Sequence, residues 1–506
     1  MPRLLPLVGP LKGLVRDGAP RLRSTAAVLT SMTALAATSL VTGPALAEAG
    51  AVPCALRRTE AHHSEGLDSW NASYPRPTRP LDAVMVFLSF PDAGPETTPA
   101  ELAEDYFPAT DRFFARASYG RFSLRTHPLR QWIQMPHPST AYAIRRDWSP
   151  GRRAAYLRDA LSAADRHVDF SRYDIVYFVA DPDAPGVDSD ATKVVNLDRP
   201  LRADGKAIRR VVTVFEQHPP DRLVLAHETG HVFDLPDLYH RPVDGKGDWD
   251  TYVGDWDLMG SQFGLAPDLF AWHKWKLGWL DPRQVVCVKG AGSTRLSLEP
   301  VDTGPAPGDA SVTGGAAVAA GSAASPASPA SSASSASPAS SASPASSASS
   351  ASSASSASPA SSASSASPAS GATGAAGAPA TVPGLGVRPL AATGGGTKLA
   401  VVRTGRDRVL AIEARDPAGN DAASCTRGIL VYRVRNGAES GEGPVQVVDA
   451  HPHTEACPNE SVYPPLADAP IASGETFTVP GEGVRITVEG RTASGQWTVD
   501  VTPGVE

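Results

Sequence analysis

The sequence predicts an α+β fold followed by a β-rich C-terminal region. Three observations lead there. Segments with helical and strand-like periodicity alternate from about residue 83 to residue 233. After Trp279 the apolar stretches are short, strand-like and punctuated by Gly and Pro. Between these later strands, residues 310–387 carry no charged side chain, and residues 322–370 are only Ala, Ser and Pro. Such a tract has too little apolar surface to offset its ordering entropy, so it is expected to be a disordered insertion. Most of the remaining 506-residue chain is long enough for a sizeable core with a smaller partner region.

The N-terminus reads as an export signal. Residues 1–24 hold the basic side chains, and residues 25–40 are apolar and uncharged but shorter than the ~20 residues a bilayer span needs. Ala45-Leu46-Ala47 then supplies a small-x-small site, so cleavage after Ala47 is expected, with an uncleaved anchor as the rival. No later stretch approaches a span, which predicts a secreted, extracellular protein with no stable membrane insertion. The whole chain carries −7. Residues 1–47 hold Arg3, Lys12, Arg16, Arg21 and Arg23 against Asp17, a net +4, so the remainder carries −11. An acidic chain without a Lys/Arg block argues against nucleic acid as a partner. Arginine far outnumbers lysine and alanine is abundant, a bias typical of GC-rich bacterial genomes.

Residues 48–80 are polar and irregular, a lead-in or a pro-segment. Residues 83–90 (AVMVFLSF) read as a buried strand. Within 121–135, RFSLRTH and RQWIQM alternate like a hairpin-like pair. Pro150 precedes a helix with Tyr156, Leu157, Ala160, Leu161 and Ala164 at helical spacing. Residues 173–180 and 211–215 are two more core strands. Pro219-Pro220-Asp221 opens a helix from Leu223 to about Phe233. Later strands fall at 295–298, 398–402, 408–414, 428–434, 475–479, 484–488 and 497–501. Strand-like sequence flanks the Ala/Ser/Pro tract on both sides. The tract therefore reads as a loop within one domain, with an interdomain linker as the competing reading, and its hydroxyls suit O-linked sugars. The expected organisation is a signal peptide (1–47), the lead-in or pro-segment (48–80), a catalytic domain (81–305), the insertion (306–395) and a β-rich region (396–506).

All four cysteines, Cys54, Cys287, Cys425 and Cys457, follow the expected cut. An even count in an exported chain fits two disulfides in one of three pairings, and Cys425 with Cys457 is preferred because both lie in the β-rich region. Free buried thiols, or Cys54 capping a metal in a latent form, are the alternatives.

The chemistry is carried by His227-Glu228-Thr229-Gly230-His231 and by Asp237. Two histidines four apart project from one helix face and can share a tetrahedral Zn2+. Glu228 beside the first ligand can reach a metal-activated water as general base without ligating the metal. Asp237 lies six residues after His231, beyond Pro236, where the chain cannot continue the helix and can offer the third ligand. The five-residue pattern alone is modest and recurs in unrelated helices. The apolar LVLA before it, the later aspartate and the export signal favour a real site. Further on, Met259 stands in a predicted turn (GDWDLMGS). Two acidic loops, Asp181, Asp183, Asp188 and Asp190, and Asp244, Asp248, Asp250, Asp255 and Asp257, offer oxygen ligands for Ca2+, although solvated turn carboxylates explain them equally well. Trp249, Trp256, Trp272, Trp275 and Trp279 read as core rather than cleft wall.

HETGHVFDLPDLY, followed by VGDWDLMGSQFG and PDLFAWHKWKLGWL, resembles the immune inhibitor A family of secreted bacterial metallopeptidases. The shorter secreted zinc protease snapalysin is similar around the first motif. MVFLSFPD, FFARASYGRFSL and VDFSRYDIV also resemble that family's catalytic domain, and GTKLAVV, VLAIEAR and GILVYRV the β region after it. The likeness runs in patches from about Asp82 to the end, outside the Ala/Ser/Pro tract. It implies a metzincin-like domain with a mixed sheet and an active-site helix, zinc on His227, His231 and Asp237, Glu228 as general base, and Met259 in a supporting turn. The family usually has glycine three residues after the second histidine. Here Asp234 stands there, and a sharp helix end would force it to φ > 0.

The expected function is therefore a secreted zinc endopeptidase acting on extracellular proteins or peptides. A catalytically retired surface-binding protein on a protease scaffold, and a zinc hydrolase of non-peptide bonds, are the alternatives. Tyr239 or Tyr252 are candidates for a hydrogen bond to the oxyanion. Subsite preference and oligomeric state are not legible in the sequence.

Overall fold

The strand β1 (Leu81–Ser89) forms from an almost unbroken apolar run and is buried along nearly its whole length, as a strand covered on both faces must be. The computed structural model describes residues 53–242, 247–304 and 396–504. The expected signal peptide, the Ala/Ser/Pro insertion and Asp244 lie outside the described residues.

After β1 come the helices α1 (Pro99–Tyr106) and α2 (Ala109–Ala117), then strand β2 (Leu124–Gln134). A one-turn helix α3 (Ser139–Tyr142) and the longer α4 (Pro150–Ala164) follow, then β3 (Ile175–Ala180), β4 (Lys193–Ala203) and β5 (Lys206–Val214). These strands form one sheet in the order β2-β1-β3-β5-β4. Its first four members are parallel, and β4 lies antiparallel at the edge. Helix α4 lays Tyr156, Leu157, Ala160 and Leu161 on one face of the sheet, against Val84, Val86 and Leu88. The other face, with Met85 and Phe87, packs into a core shared with α1, α2 and α5 (Val224–Val232).

Residues 121–135 do not form the expected hairpin. They are the single strand β2, whose register on β1 jumps from Met85 opposite Pro128 to Phe87 opposite Trp132. Both alternating stretches pair with the same neighbour. Pro128 brings no N–H to a ladder, and the extra residues are taken up as a bulge rather than a turn.

The C-terminal half is β-rich, as expected. Following α6 (Ala271–Lys276) are β6 (Val285–Val288), β7 (Thr294–Leu298), β8 (Leu399–Arg403), β9 (Arg408–Arg415), β10 (Gly428–Arg435) and β11 (Val445–Val447). A one-turn helix α7 (Pro464–Ala467) precedes β12 (Thr476–Thr478), β13 (Arg485–Arg491) and β14 (Trp497–Thr502). The second sheet is β11-β10-β9-β8-β6 and the third is β12-β13-β14-β7. They share a core of Leu410, Ile412, Val431, Ile486, Val488 and Val499. The opposite face of the second sheet, through Val401, Ala411, Leu430 and Tyr432, joins the core of the first half.

The boundary expected at residue 305 therefore does not divide the fold. Strands β6 and β7 precede it in sequence yet pair with β8 and β14. Their short apolar runs are completed only by partners from beyond the insertion. The insertion's flanks meet side by side: Leu298 bridges Thr397, and the Glu299 N–H donates to the Thr397 carbonyl at 2.8 Å. The lead-in is irregular, as expected, but it is not loose. Cys54 is disulfide-bonded to Cys287, and the indoles of Trp272 and Trp279 donate to the carbonyls of Glu65 and Pro77. Cys425 pairs with Cys457, and Cys54, bonded to Cys287, is not a thiol cap on a metal. Among the described residues no helix is long and apolar enough to cross a membrane.

Candidate metal centre

Helix α5 carries the motif, and all nine of its residues are buried. It packs against β4, β5 and α2. Thr229 fixes its rotation: the hydroxyl donates to the Leu225 carbonyl at 2.6 Å and lies 2.9 Å from the Tyr177 hydroxyl of β3. Gly230 sets the height of the floor beneath it. A Cβ at this position would collide with the Met259 thioether, so the glycine lets Met259 lie directly against the helix.

The two histidines are oriented by backbone carbonyls. His227 Nδ1–H donates to Leu258 O at 2.9 Å, and His231 Nδ1–H donates to Leu235 O at 2.8 Å. With both Nδ1 positions used, each ring presents its Nε2 lone pair. The two Nε2 atoms lie 3.5 and 2.9 Å from Asp237 Oδ1. Ligand atoms of His227, His231 and Asp237 all fall within 4.8 Å of one another, and among the described residues no other trio of His, Cys, Asp or Glu does so. Two imidazoles and a carboxylate, nearly buried, form a donor set that can hold a metal ion. Glu228 Oε2, next in sequence to His227, is buried with no hydrogen-bond partner among the described residues.

The turn that brings Asp237 back is a Schellman motif. Leu235 N–H donates to Gly230 O at 3.2 Å and Asp234 N–H to His231 O at 3.2 Å. Asp234 occupies the left-handed position at φ 67°, as the helix end demands. Its carboxylate is fully buried, with Arg58 Nη2 2.7 Å away and His63 Nδ1 3.0 Å away, while Lys276 donates to its carbonyl at 2.7 Å. Burial would raise the Asp234 pKa, but His63, Lys276 and Arg58 hold it below the usual carboxylate range.

Asp237 is held from the far side of the chain. Ser440 donates to Oδ2 at 3.0 Å and accepts the Asp237 N–H at 2.8 Å. Burial opposes its charge, yet His231 and His227 drive the Asp237 pKa well below its ordinary value. Burial likewise pulls His231 down, but Asp237 overrides it and lifts His231 to about 9.

The trio opens into a cleft of about 360 Å3 walled by His62, Lys193, Val194, Asn196, Tyr239 and Ser440. Tyr239 stacks on His227 at 6.5 Å and reaches the cleft, whereas the Tyr252 hydroxyl is engaged by His240 at 3.0 Å. Among the described residues the acidic loops form no group of ligand atoms close enough to share a cation. Asp181 and Asp188 accept N–H groups in their own turns, and Asp255 and Asp257 accept the N–H groups of Leu265 and Met259. Trp256, Trp272 and Trp279 are core, as expected, while Trp249 and Trp275 are partly exposed.

Arg58, His63 and Ser440 were not legible as site residues. They lie far from the motif in sequence, and the only pointer was Asp234 itself, an acid where the turn wants glycine. No family model matches the sequence, and no curated protein matches it.

Proposed function

We propose that this chain is a secreted zinc-dependent endopeptidase with a metzincin-like catalytic domain, as its resemblance to the immune inhibitor A family implies. One observation carries the reading: a buried carboxylate oxygen with no partner among the described residues, Glu228 Oε2, lines the same cleft as His227, His231 and Asp237, whose ligand atoms lie within 4.8 Å of one another. Zinc on His227, His231 and Asp237 would act as a Lewis acid, lowering the pKa of a water towards ~7 and polarising the scissile carbonyl.

Glu228 takes a proton from the attacking water at Oε2 and passes it to the leaving amine. With no partner among the described residues, that oxygen is free to do so. The backbone carbonyls of Leu258 and Leu235 keep both imidazoles in the tautomer that exposes Nε2. A polypeptide substrate is favoured over a non-peptide one by the edge strand β4, which lines the cleft and, among the described residues, has no strand on its outer side. An extended backbone can hydrogen-bond to such an edge. Two disulfides fit an exported protein.

Stripping the protein with a chelator and restoring Zn2+ tests this. Hydrolysis of a protein substrate is expected to disappear and return. Undiminished hydrolysis by protein shown to be metal-free would contradict it.

A further inference from the structure

Asp234 is a charged residue in a buried left-handed turn. That conformation strains a residue with a side chain, and a buried carboxylate without a cation is costly. The side chains that meet its carboxylate, Arg58 and His63, both come from the lead-in. The same lead-in is anchored on either side of them. Cys54 is covalently tied to Cys287. Glu65 accepts from His273 Nε2 at 2.9 Å, Ser64 donates to Asn436 Oδ1 at 2.5 Å, and Asn436 donates to the Arg57 carbonyl. The His63 ring also stacks on the ligand ring of His231 at 5.8 Å, with 27° between planes.

The turn at Asp234 serves the metal centre directly. The next residue, Leu235, gives the carbonyl that orients His231, and Asp237 follows two residues later. A displaced Asp234 would shift one ligand's orienting carbonyl and the other ligand's approach together.

We propose that Arg58 and His63 are positioning residues of the metal centre, holding the Asp234 turn in shape, and that residues 54–66 are a permanent strap of the mature protein rather than an excisable pro-segment. The proposal rests on the reading that His227, His231 and Asp237 bind zinc. It explains why aspartate can stand where glycine is usual: Arg58 and His63 of the strap, with Lys276 of α6 beside them, make the buried carboxylate tolerable.

The test is Zn2+ affinity of the full chain, measured by chelator competition, beside the melting temperature of the metal-free protein. Arg58→Ala is expected to weaken zinc binding by roughly tenfold, the lower end of what losing a ligand's own partner costs, because Arg58 acts through the Asp234 turn. Asp234→Gly is expected to stay close to wild type, since glycine takes this φ freely. Arg58→Ala combined with Asp234→Gly is expected to recover most of the lost affinity, because it removes both the stranded charge and the strain. A strap that acts by packing alone would leave the double variant as weak as Arg58→Ala, and that result overturns the proposal. So does wild-type affinity in Arg58→Ala. Should Arg58→Ala fail to fold, the double variant still decides, because it is predicted to fold and bind zinc. A wild-type chain that binds no zinc would remove the metal centre itself, and this proposal with it.

Discussion

Ser440 grips Asp237 twice, donating its hydroxyl to Oδ2 at 3.0 Å and accepting the Asp237 N–H at 2.8 Å. The two residues are 203 positions apart, so the β-rich half holds the carboxylate that meets the two histidines of α5. Ser440→Ala is expected to weaken Zn2+ binding by roughly tenfold, with little change in the melting temperature of the metal-free protein. Chelator competition measures it, and unchanged affinity would mean that Asp237 needs no such support.

Gly230 sets helix propensity against packing. Alanine would gain up to ~1 kcal/mol as a helix former. Its Cβ would strike the Met259 thioether, and overpacking typically costs about 1–3 kcal/mol. A net loss of stability is expected for Gly230→Ala, partly restored by adding Met259→Ala. Denaturant midpoints of the single and double variants report the coupling. Independent, additive effects would show that the two residues do not touch.

His273 has no exposed surface and bridges Asp257 Oδ2 at 3.1 Å and Glu65 Oε1 at 2.9 Å. Burial pulls its pKa down, but the two carboxylates lift it from 6.5 to about 9. A folded pKa above the unfolded value stabilises fully below about 6.5 and loses that contribution as pH rises through about 9. Stability should fall over this alkaline window. His273→Gln should lack the decline and be destabilised by about 3 kcal/mol, because two buried carboxylates lose the imidazolium and only Glu65 keeps Lys276, 3.8 Å away. Urea titrations across the window give both readings.

The disulfides should differ in weight. Cys54–Cys287 closes a sequence separation of 233 residues and Cys425–Cys457 one of 32. Chain entropy assigns the longer loop about 5 kcal/mol and the shorter about 4 kcal/mol. Replacing Cys54 and Cys287 by serine should lower the denaturant midpoint more than replacing the other pair, and the reverse order would point to native-state packing as the dominant effect.

Local pattern made much of the fold legible. The apolar run of β1, the helical spacing in α4 and the short later strands all announce themselves within a few residues. The grouping of His227, His231 and Asp237 was legible for the same reason, since one helix and one turn bring them together. What escaped depends on distant partners. The hairpin expected at 121–135 became one strand because β1 offers a longer parallel edge than the segment offers itself. Strand β4, which walls the cleft, is too polar to stand out from its neighbours, being only patchily buried at the sheet edge. Arg58, His63 and Ser440 reach the site through tertiary contacts that no spacing in the sequence encodes.

The central claim is that Glu228 moves the proton in a metal-dependent cleavage of peptide bonds. Casein hydrolysis by the mature protein, wild type beside Glu228→Ala, with zinc content measured in both, tests it most directly. Loss of hydrolysis by at least ~100-fold with zinc still bound is the predicted result. Equal cleavage by the zinc-loaded variant would contradict the account.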